Sequence, residues 1–138
     1  MKMMKQFAVI GLGRFGSSLS RELMKLECEV LGIDLDEQVV QDLSEELTHV
    51  VAADATDEEA LRSLGIRNFD CVIVAIGDDI QASILTTILL KDLGVKLVVA
   101  KALSELHGRV LHKIGADRVI YPERDMGIRV AHQLVAPN

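Results

Sequence analysis

The stretch from Phe7 to Gly16 reads FAVIGLGRFG, an apolar run that ends in three spaced glycines. Gly11 permits a sharp turn off a buried strand, Gly13 lacks the Cβ that would collide with a pyrophosphate, and Gly16 permits the next helix to pack closely. Amide groups at the start of that helix then face the turn and favour an anion. The stretch therefore predicts a strand, a phosphate-binding turn and a helix.

A carboxylate at the end of the second apolar run strengthens this prediction, since three spaced glycines alone are weak evidence. Asp34 stands where a carboxylate accepts both hydroxyls of an adenosine ribose and repels a 2′-phosphate. Alternatively, Asp34 only caps the helix that starts near Asp36, although Asp36 is the better candidate for that cap. We expect Asp34 to bind a ribose, which favours NAD or an adenine nucleotide over NADP.

Composition limits the remaining classes of protein. The chain has 138 residues, enough for one domain with its own core, and it is 49% hydrophobic but only 3% aromatic. An aliphatic core of this kind is typical of a parallel sheet buried on both faces. The net charge of −6 argues against a nucleic-acid partner. No signal peptide or membrane-spanning run is visible and the two cysteines lack C-x-x-C spacing, so we expect a cytoplasmic domain with reduced thiols.

Strand and helix patterns alternate six times, which predicts an α/β fold of the Rossmann type. Right-handed crossovers then give a doubly wound parallel six-stranded sheet in the order 3-2-1-4-5-6, inside three αβα layers. At the end of the chain, Ala136 to Asn138 resemble the start of a connection, so we expect a longer protein. Strands are predicted near 6–10, 29–33, 49–53, 71–76, 96–100 and 117–121, and helices near 14–26, 36–46, 57–64, 79–93, 104–114 and 124–135.

Further candidate site residues follow the other strands. Asp54 to Thr56 and Ile76-Gly77 are expected to border an adenine slot, although an Asx turn would explain Asp54 and turn geometry would explain Gly77. Lys101 follows the fifth strand at the same edge of the sheet. Arg14 lies in the first turn of the phosphate-binding helix, where a guanidinium can reach a phosphate unless it is simply a solvated surface residue.

Glu123 stands at the start of the last helix, after Tyr121-Pro122. A carboxylate there complements the helix dipole, which is its simplest interpretation. At this edge of the sheet it would also repel phosphates unless Arg14 or a bound cation lay between them. A functional Glu123 therefore implies a metal ion or an ion pair.

The residues that catalysis would need are missing from the pattern. The four histidines show no zinc-ligand spacing, there is no Tyr-x-x-x-Lys pair, and nothing follows the nucleotide-binding half to hold a second reactant. We therefore expect binding without catalysis. The fourth helix carries a wide aliphatic stripe, which is typical of core packing and alternatively of a symmetric dimer interface; its members are Ile80, Ile84, Leu85, Ile88 and Leu89.

Taken together, these motifs resemble the N-terminal nucleotide-binding lobe of the regulators of potassium conductance, also called RCK, KTN or TrkA-N domains. The resemblance covers essentially residues 1–138, and the stretch from Ile114 to Glu123 looks most like the cytosolic gating subunits of bacterial Ktr-type potassium uptake systems. It rests on the motifs Phe7–Gly16, Asp54–Thr56, Leu64–Ile66, Val74–Gly77, Ile80–Ser83 and Lys113–Asp117.

The resemblance implies regulation of ion transport. Such proteins form dimers stacked into an octameric ring beneath a membrane-embedded potassium-translocating subunit, and ATP or ADP, and also NAD(H), binds them. It implies that Asp34 holds the ribose, that Arg14 reaches the terminal phosphates across the dimer interface, and that Glu123 holds Mg²⁺ or Ca²⁺ near the γ-phosphates. The family's last helix crosses onto the partner, and a second, C-terminal lobe follows that is absent from this chain.

The sequence thus predicts a cytoplasmic nucleotide sensor, peripheral to the membrane, that gates a potassium transporter. The alternatives are an NAD(H)-binding redox sensor and a fragment of an NAD-dependent oxidoreductase. The predicted metal ligand is Glu123, and the predicted nucleotide-binding residues are Gly11, Leu12, Gly13, Arg14, Phe15, Gly16, Asp34, Asp54, Ala55, Thr56, Ile76, Gly77 and Lys101.

Overall fold

The structure, a computed structural model, describes residues 5–136, so the predicted connection at Pro137-Asn138 lies outside the described residues. Strands and helices alternate as predicted. The strands are β1 (Gln6–Ile10), β2 (Glu29–Asp34), β3 (His49–Ala52), β4 (Cys71–Val74), β5 (Val98–Lys101) and β6 (Arg118–Ile120). The helices are α1 (Arg14–Lys25), α2 (Glu37–Leu43), α3 (Glu58–Ser63), α4 (Ile80–Asp92), α5 (Glu105–Lys113) and α6 (Pro122–Val135), with a 3₁₀ turn at Ile66–Asn68.

The six strands form one parallel sheet in the order β3-β2-β1-β4-β5-β6, which confirms the predicted topology. β1 is central: Ile10 pairs with Ile33 of β2 on one side and with Val74 of β4 on the other. The chain leaves β1 toward β2 and later returns on the opposite side to form β4. The carboxyl ends of β1 and β4 therefore flank the switch point where such sheets bind ligands.

Two hydrophobic cores cover the two faces of the sheet, because successive side chains of a strand point to opposite faces. Ala8 and Ile10 of β1 belong to one core, while Val9 between them belongs to the other. Leu61 of α3, Leu90 of α4 and Leu111 of α5 complete the first core. The second core is closed by Leu19 and Leu23 of α1 and by Val39 and Leu43 of α2. The result is the expected three-layer arrangement.

Side-chain caps set the starts of several helices. The carboxylates of Asp36, Asp57 and Asp79 and the hydroxyl of Ser104 each accept a hydrogen bond from an amide in the first turn of the following helix. Asp36 was predicted as the cap of the second helix, and this is confirmed. Two helix boundaries differ from prediction by more than one residue: α2 ends at Leu43, because residues 44–46 leave the helix in turns, and α6 begins at Pro122, where proline fits the first helical position.

Helix α4 packs its aliphatic stripe into the core only in part, since Ile84 and Leu89 are half-buried against the first core. The residues it buries completely toward the sheet include three hydroxyl side chains, Ser83, Thr86 and Thr87. Ile80 and Leu85 are each 43% exposed. Each of these inward hydroxyls has a hydrogen-bond partner, so the polar side chains are satisfied on the inner face. The outward aliphatic face fits the alternative prediction, an interface.

Within residues 5–136, no helix combines the length and the apolar character that crossing a lipid bilayer requires.

Candidate functional site

A cleft of about 1240 Å³ lies at the carboxyl edge of the sheet, above the switch point between β1 and β4. Its walls are the segments that follow five strands, together with the start of α6. The volume exceeds the ~300–1,000 Å³ of typical small-molecule sites. The cleft is therefore large enough for a nucleotide.

The glycine turn at the floor of the cleft is set by backbone packing. Gly11 has φ +96°, and a Cβ on it would lie 2.8 Å from the backbone carbonyl of Ala75. A Cβ on Gly16 would lie 1.8 Å from the carbonyl oxygen of Gly11. No side chain fits at either position. The turn between β1 and α1 therefore requires glycine at both positions, for reasons internal to the fold.

The carboxylate of Asp34 is held in place by two backbone amides. Oδ2 accepts a hydrogen bond of 2.7 Å from the Leu12 amide, and Oδ1 accepts one of 2.9 Å from the Asp36 amide. Asp36 itself caps α2 by accepting from Gln38. A carboxylate has about four acceptor positions, so each oxygen of Asp34 keeps one position for a ligand. The side chain is thus oriented toward the cleft before any ligand binds.

The amides between these two fixed points are available to a ligand. Leu12 donates to Asp34 and Ser17 donates to the Gly13 carbonyl, whereas within the described residues the amides of 13–15 donate to no acceptor. A Cβ on Gly13 would meet no protein atom within 4 Å, so the space beside it is open. Unpaired amides at a helix N-terminus attract anions. This edge of the cleft is suited to phosphate.

Two cations border the same region. Arg14 and Lys101 line the cleft, and neither forms an ion pair within the part of the chain that the structure describes. The ammonium group of Lys101 lies 5.9 Å from the centre of the Phe15 ring, within reach of a cation–π interaction. It also lies 3.6 Å from where a Cβ on Gly77 would be, so the first turn of α1, the segment after β4 and the end of β5 meet here.

On the opposite side of Asp34, the segment after β3 forms an Asx turn. Asp54 Oδ1 accepts from both the amide and the hydroxyl of Thr56, and the Thr56 hydroxyl bond lowers the pKa of Asp54. This is the alternative structure considered for Asp54, although its second oxygen has no partner within residues 5–136. Thr86 of α4 donates a 3.1 Å hydrogen bond to the carbonyl of the buried Ala55. Helix α4 therefore supports this wall of the cleft.

The start of α6 forms the far wall. Arg124 stacks over the Tyr121 ring at 3.8 Å and pairs with Glu105 at 3.3 Å and with Asp125 at 3.4 Å. Glu123 is exposed and lines the cleft. Among residues 5–136, no three His, Cys, Asp or Glu side chains are close enough together to hold a metal ion.

The cleft brings together nearly all the predicted site residues. Leu12 and Gly16 are the two that do not line it: the Leu12 side chain is buried in the second core, and Gly16 is covered by the Gly11 carbonyl. The predicted residues that line the cleft are Gly11, Gly13, Arg14, Phe15, Asp34, Asp54, Ala55, Thr56, Ile76, Gly77, Lys101 and Glu123.

Other residues line the cleft but were not predicted to do so from the sequence. They include Ser18, Leu35, Thr86, Leu103 and Tyr121. Ser18 lies one helical turn after the glycine turn, and Leu35 follows Asp34 directly. Their positions beside predicted site residues could therefore have placed them at the cleft. Nothing in the sequence marks Thr86 as a lining residue, because it lies in the middle of an apolar helix.

Comparison with known proteins adds the family to this geometry. The TrkA-N domain family model matches residues 7–122, from β1 to the first residue of α6. The chain belongs to the TrkA-N family. The matched region includes the glycine turn, Asp34 and the other segments of the cleft that follow strands, whereas Glu123, Arg124 and Met126 of the cleft lie beyond it.

Two curated relatives of this TrkA-N domain are potassium uptake proteins. The chain is 53% identical over 136 residues to Ktr system potassium uptake protein C of Bacillus subtilis, covering 99% of this chain and 62% of that protein. It is 47% identical over 131 residues to Ktr system potassium uptake protein A of Vibrio alginolyticus, covering 95% and 60%. The chain thus spans about 60% of the length of these relatives.

Solved structures share the TrkA-N fold. The GsuK channel bound to NAD matches with a TM-score of 0.76 at 18% identity, over 86% of this chain and 22% of that one. GsuK bound to ADP matches with a TM-score of 0.79 at 18% identity, over 91% and 33%. At this level of identity the comparison establishes the fold alone.

Proposed function

We propose that this domain binds an adenine nucleotide and that the bound nucleotide regulates a membrane-embedded potassium-translocating partner. The observation that carries the proposal is the Asp34 carboxylate, held by the Leu12 and Asp36 amides beside the unpaired amides of 13–15. One group fits a ribose and the other fits phosphate. Membership of the TrkA-N family, with Ktr potassium uptake proteins as relatives, supports the transport role.

Among nucleotides we infer ATP and ADP as the regulating pair, with NAD(H) as a further ligand. A nucleotide that binds two conformations with equal affinity does not shift the equilibrium between them. Regulation therefore needs a contact that only one of the two nucleotides makes. Arg14 and Lys101 supply positive charge for an additional phosphate, and Glu123 supplies a carboxylate for a divalent cation, Mg²⁺ or Ca²⁺, bound with it. The GsuK structures bound to NAD and to ADP are consistent with both ligand classes.

We further propose that the protein works as an oligomer without catalysing a reaction. No His or Cys lines the cleft within residues 5–136. Helix α6 buries none of its residues, and Leu134 near its end is 81% exposed. Such a helix is stabilised by packing on a second subunit, as expected for a homodimer within an octameric ring at the cytoplasmic face of the membrane.

The first test is thermal unfolding with ATP, ADP, NAD or NADH, each with and without Mg²⁺ or Ca²⁺. A nucleotide at ~100 times its Kd adds ~2.7 kcal/mol, or roughly 10 °C for a domain of this size. We expect stabilisation by ATP and ADP, with the cation mattering most for ATP. Stabilisation by NADH alone would favour the redox sensor or oxidoreductase fragment, and no stabilisation by any nucleotide would overturn the proposal.

Arg14→Ala tests how the extra phosphate is distinguished. We expect Arg14→Ala to weaken ATP binding about tenfold or more and ADP binding less, because charge-assisted hydrogen bonds to phosphate are worth ~1.5–3 kcal/mol. Lys25→Ala, at the other end of the same helix, is the matched control and is expected to change neither affinity. Isothermal titration calorimetry measures both. Equal losses for ATP and ADP would contradict this role of Arg14.

A further inference from the structure

Helix α5 begins with an unusual cap. In an ordinary capping box the third helical residue is Glu or Gln, and its side chain returns to the amide of the capping residue. Here the third helical residue is His107. The His107 amide donates to Ser104 Oγ at 3.1 Å, while His107 Nδ1 accepts from the Leu103 amide, one residue before the cap, at 3.0 Å.

The second ring nitrogen of His107 joins α5 to α4. Nε2 lies 3.2 Å from Ser83 Oγ, and the ring is only 3% exposed. Because Nδ1 accepts a hydrogen bond, Nε2 carries the proton of the neutral ring and donates to Ser83. Both ring nitrogens are therefore satisfied only while the imidazole is neutral.

The amide that His107 holds belongs to a wall of the cleft. We call residues 102–104 the rim; all three line the cleft directly after β5. The Ala102 amide donates to the Ile120 carbonyl at 2.8 Å, so β6 fixes the first rim residue. The Leu103 amide depends on a side chain, His107. Within the rim, it is the one backbone donor whose partner can change its protonation state.

We propose that His107 is a positioning residue for the nucleotide: its neutral ring holds the rim in the shape that receives the ligand, and protonation of Nδ1 releases the rim. A protonated Nδ1 is a donor and would face the Leu103 amide, another donor. This inference rests on the proposed nucleotide binding. It adds that nucleotide affinity falls when acid protonates one buried side chain.

The surroundings of the ring are consistent with this role. Burial lowers the pKa of His107, so the ring is neutral at pH 7. Within the described residues no charged side chain hydrogen bonds to it. The titratable and charged side chains on the elements that pack around it are Asp79 at the cap of α4, Lys91 and Asp92 of α4, Lys101 before the rim, Glu105, Arg109, His112 and Lys113 of α5, Arg118 of β6 and Tyr121 after it.

Two substitutions separate the functions of the two ring nitrogens. In His107→Asn, Oδ1 takes the place of Nδ1 and keeps an acceptor for the Leu103 amide, but it does not titrate. In His107→Gln, the amide group reaches toward Ser83 instead. We measure Kd for ATP and ADP by calorimetry from pH 5.5 to 8 with the 138-residue chain, at a temperature where circular dichroism shows each variant to be folded.

At pH 7.5 we expect His107→Asn to bind nucleotide about as tightly as the wild type, and His107→Gln to bind about three- to tenfold more weakly, the effect of one lost hydrogen bond. The terminal phosphate itself titrates near pH 6. The pH dependence is therefore judged as the ratio of wild-type to His107→Asn affinity, which we expect to fall as the pH is lowered, by about three- to tenfold once the ring is protonated.

A role in stability alone would change the melting temperature of these variants and leave both Kd and the affinity ratio unchanged, which would overturn the inference. His107→Gln binding as tightly as the wild type would overturn it as well. If the wild type binds nucleotide normally in either case, the proposed function survives. If the wild type binds none at any pH, the proposed function fails and this inference fails with it.

Discussion

Helices α1 and α4 both start at the cleft and both turn small residues toward the sheet, yet their outer faces differ. α1 buries Gly16 and Ser20 and presents charged residues such as Arg21 and Glu22 to solvent. α4 buries Ser83, Thr86 and Thr87 and presents Ile80 and Leu85. The outer face of α1 is charged, whereas that of α4 is aliphatic, as the proposed partner subunit would require.

The largest effect expected from this comparison concerns the glycine of α1. Gly16→Ala places a Cβ 1.8 Å from the Gly11 carbonyl oxygen, and the backbone must move to admit it. We expect a loss of at least ~3 kcal/mol in the free energy of unfolding, more than an ordinary overpacked side chain costs. Urea denaturation followed by circular dichroism measures it.

Gly13→Ala is the matched control for Gly16→Ala. Gly13 has φ −71°, and a Cβ there has no protein atom within 4 Å, so the loss should be within ~1 kcal/mol. Its effect should instead be on nucleotide affinity, because the open space is where phosphate is expected. Equal instability of both variants would mean that the turn, and not the close approach of α1, limits what fits.

The inner face of α4 provides the next test. In Thr86→Val the side chain keeps its shape but no longer donates to the Ala55 carbonyl, which is buried. We expect a loss of ~1–3 kcal/mol in unfolding free energy, the cost of an unsatisfied buried acceptor. Leu85→Gln on the outer face is the control. In the monomer we expect it to change the unfolding free energy by less than ~0.5 kcal/mol. A larger loss from Leu85→Gln would mean that α4 is stabilised mainly through its outer face.

How far the sequence predicts this molecule follows from the same two helices. The glycine turn and the strand order are local consequences of spacing and of alternating patterns, so Gly11, Gly13 and Asp34 were found at the cleft. The orientation of α4 was predicted only in part, because its aliphatic stripe is too wide to single out the face that packs on the sheet. Thr86 was missed for that reason: its value depends on the Ala55 carbonyl, which only the folded chain brings near.

A smaller effect is expected at the end of α4, where Lys91 and the Val98 amide both bind Asp117. Burial opposes ionisation of Asp117, but the Val98 amide and Lys91 outweigh it and lower its pKa below the usual 3.8. Because the folded-state pKa is lowered, this stabilisation is present above about pH 4 and is lost as the pH falls below it.

Asp117→Asn should therefore cost ~1 kcal/mol near neutral pH, since the group is partly exposed, and the cost should shrink toward pH 3. Urea denaturation of both proteins at several pH values measures this difference. A difference that stays constant with pH would show that Asp117 acts through its shape and not through its charge.

The smallest predicted effect compares how the two helices end. Beyond α4, Gly94 has φ +89°, the left-handed conformation that glycine adopts without strain; beyond α1, Glu27 occupies the same region with φ 66°. A residue with a Cβ is strained by ~1–2 kcal/mol in this conformation. Replacing it by glycine removes the strain, but part of the gain is offset by the larger entropy that glycine loses on folding. Glu27→Gly is therefore expected to raise the unfolding free energy by ~0.5–1 kcal/mol, and Gly94→Ala to lower it by ~1 kcal/mol or more. If the denaturation midpoint rises for Glu27→Gly and falls for Gly94→Ala, both helices end by the same backbone conformation. If Glu27→Gly is destabilised instead, the Glu27 side chain stabilises α1 by more than the strain it causes.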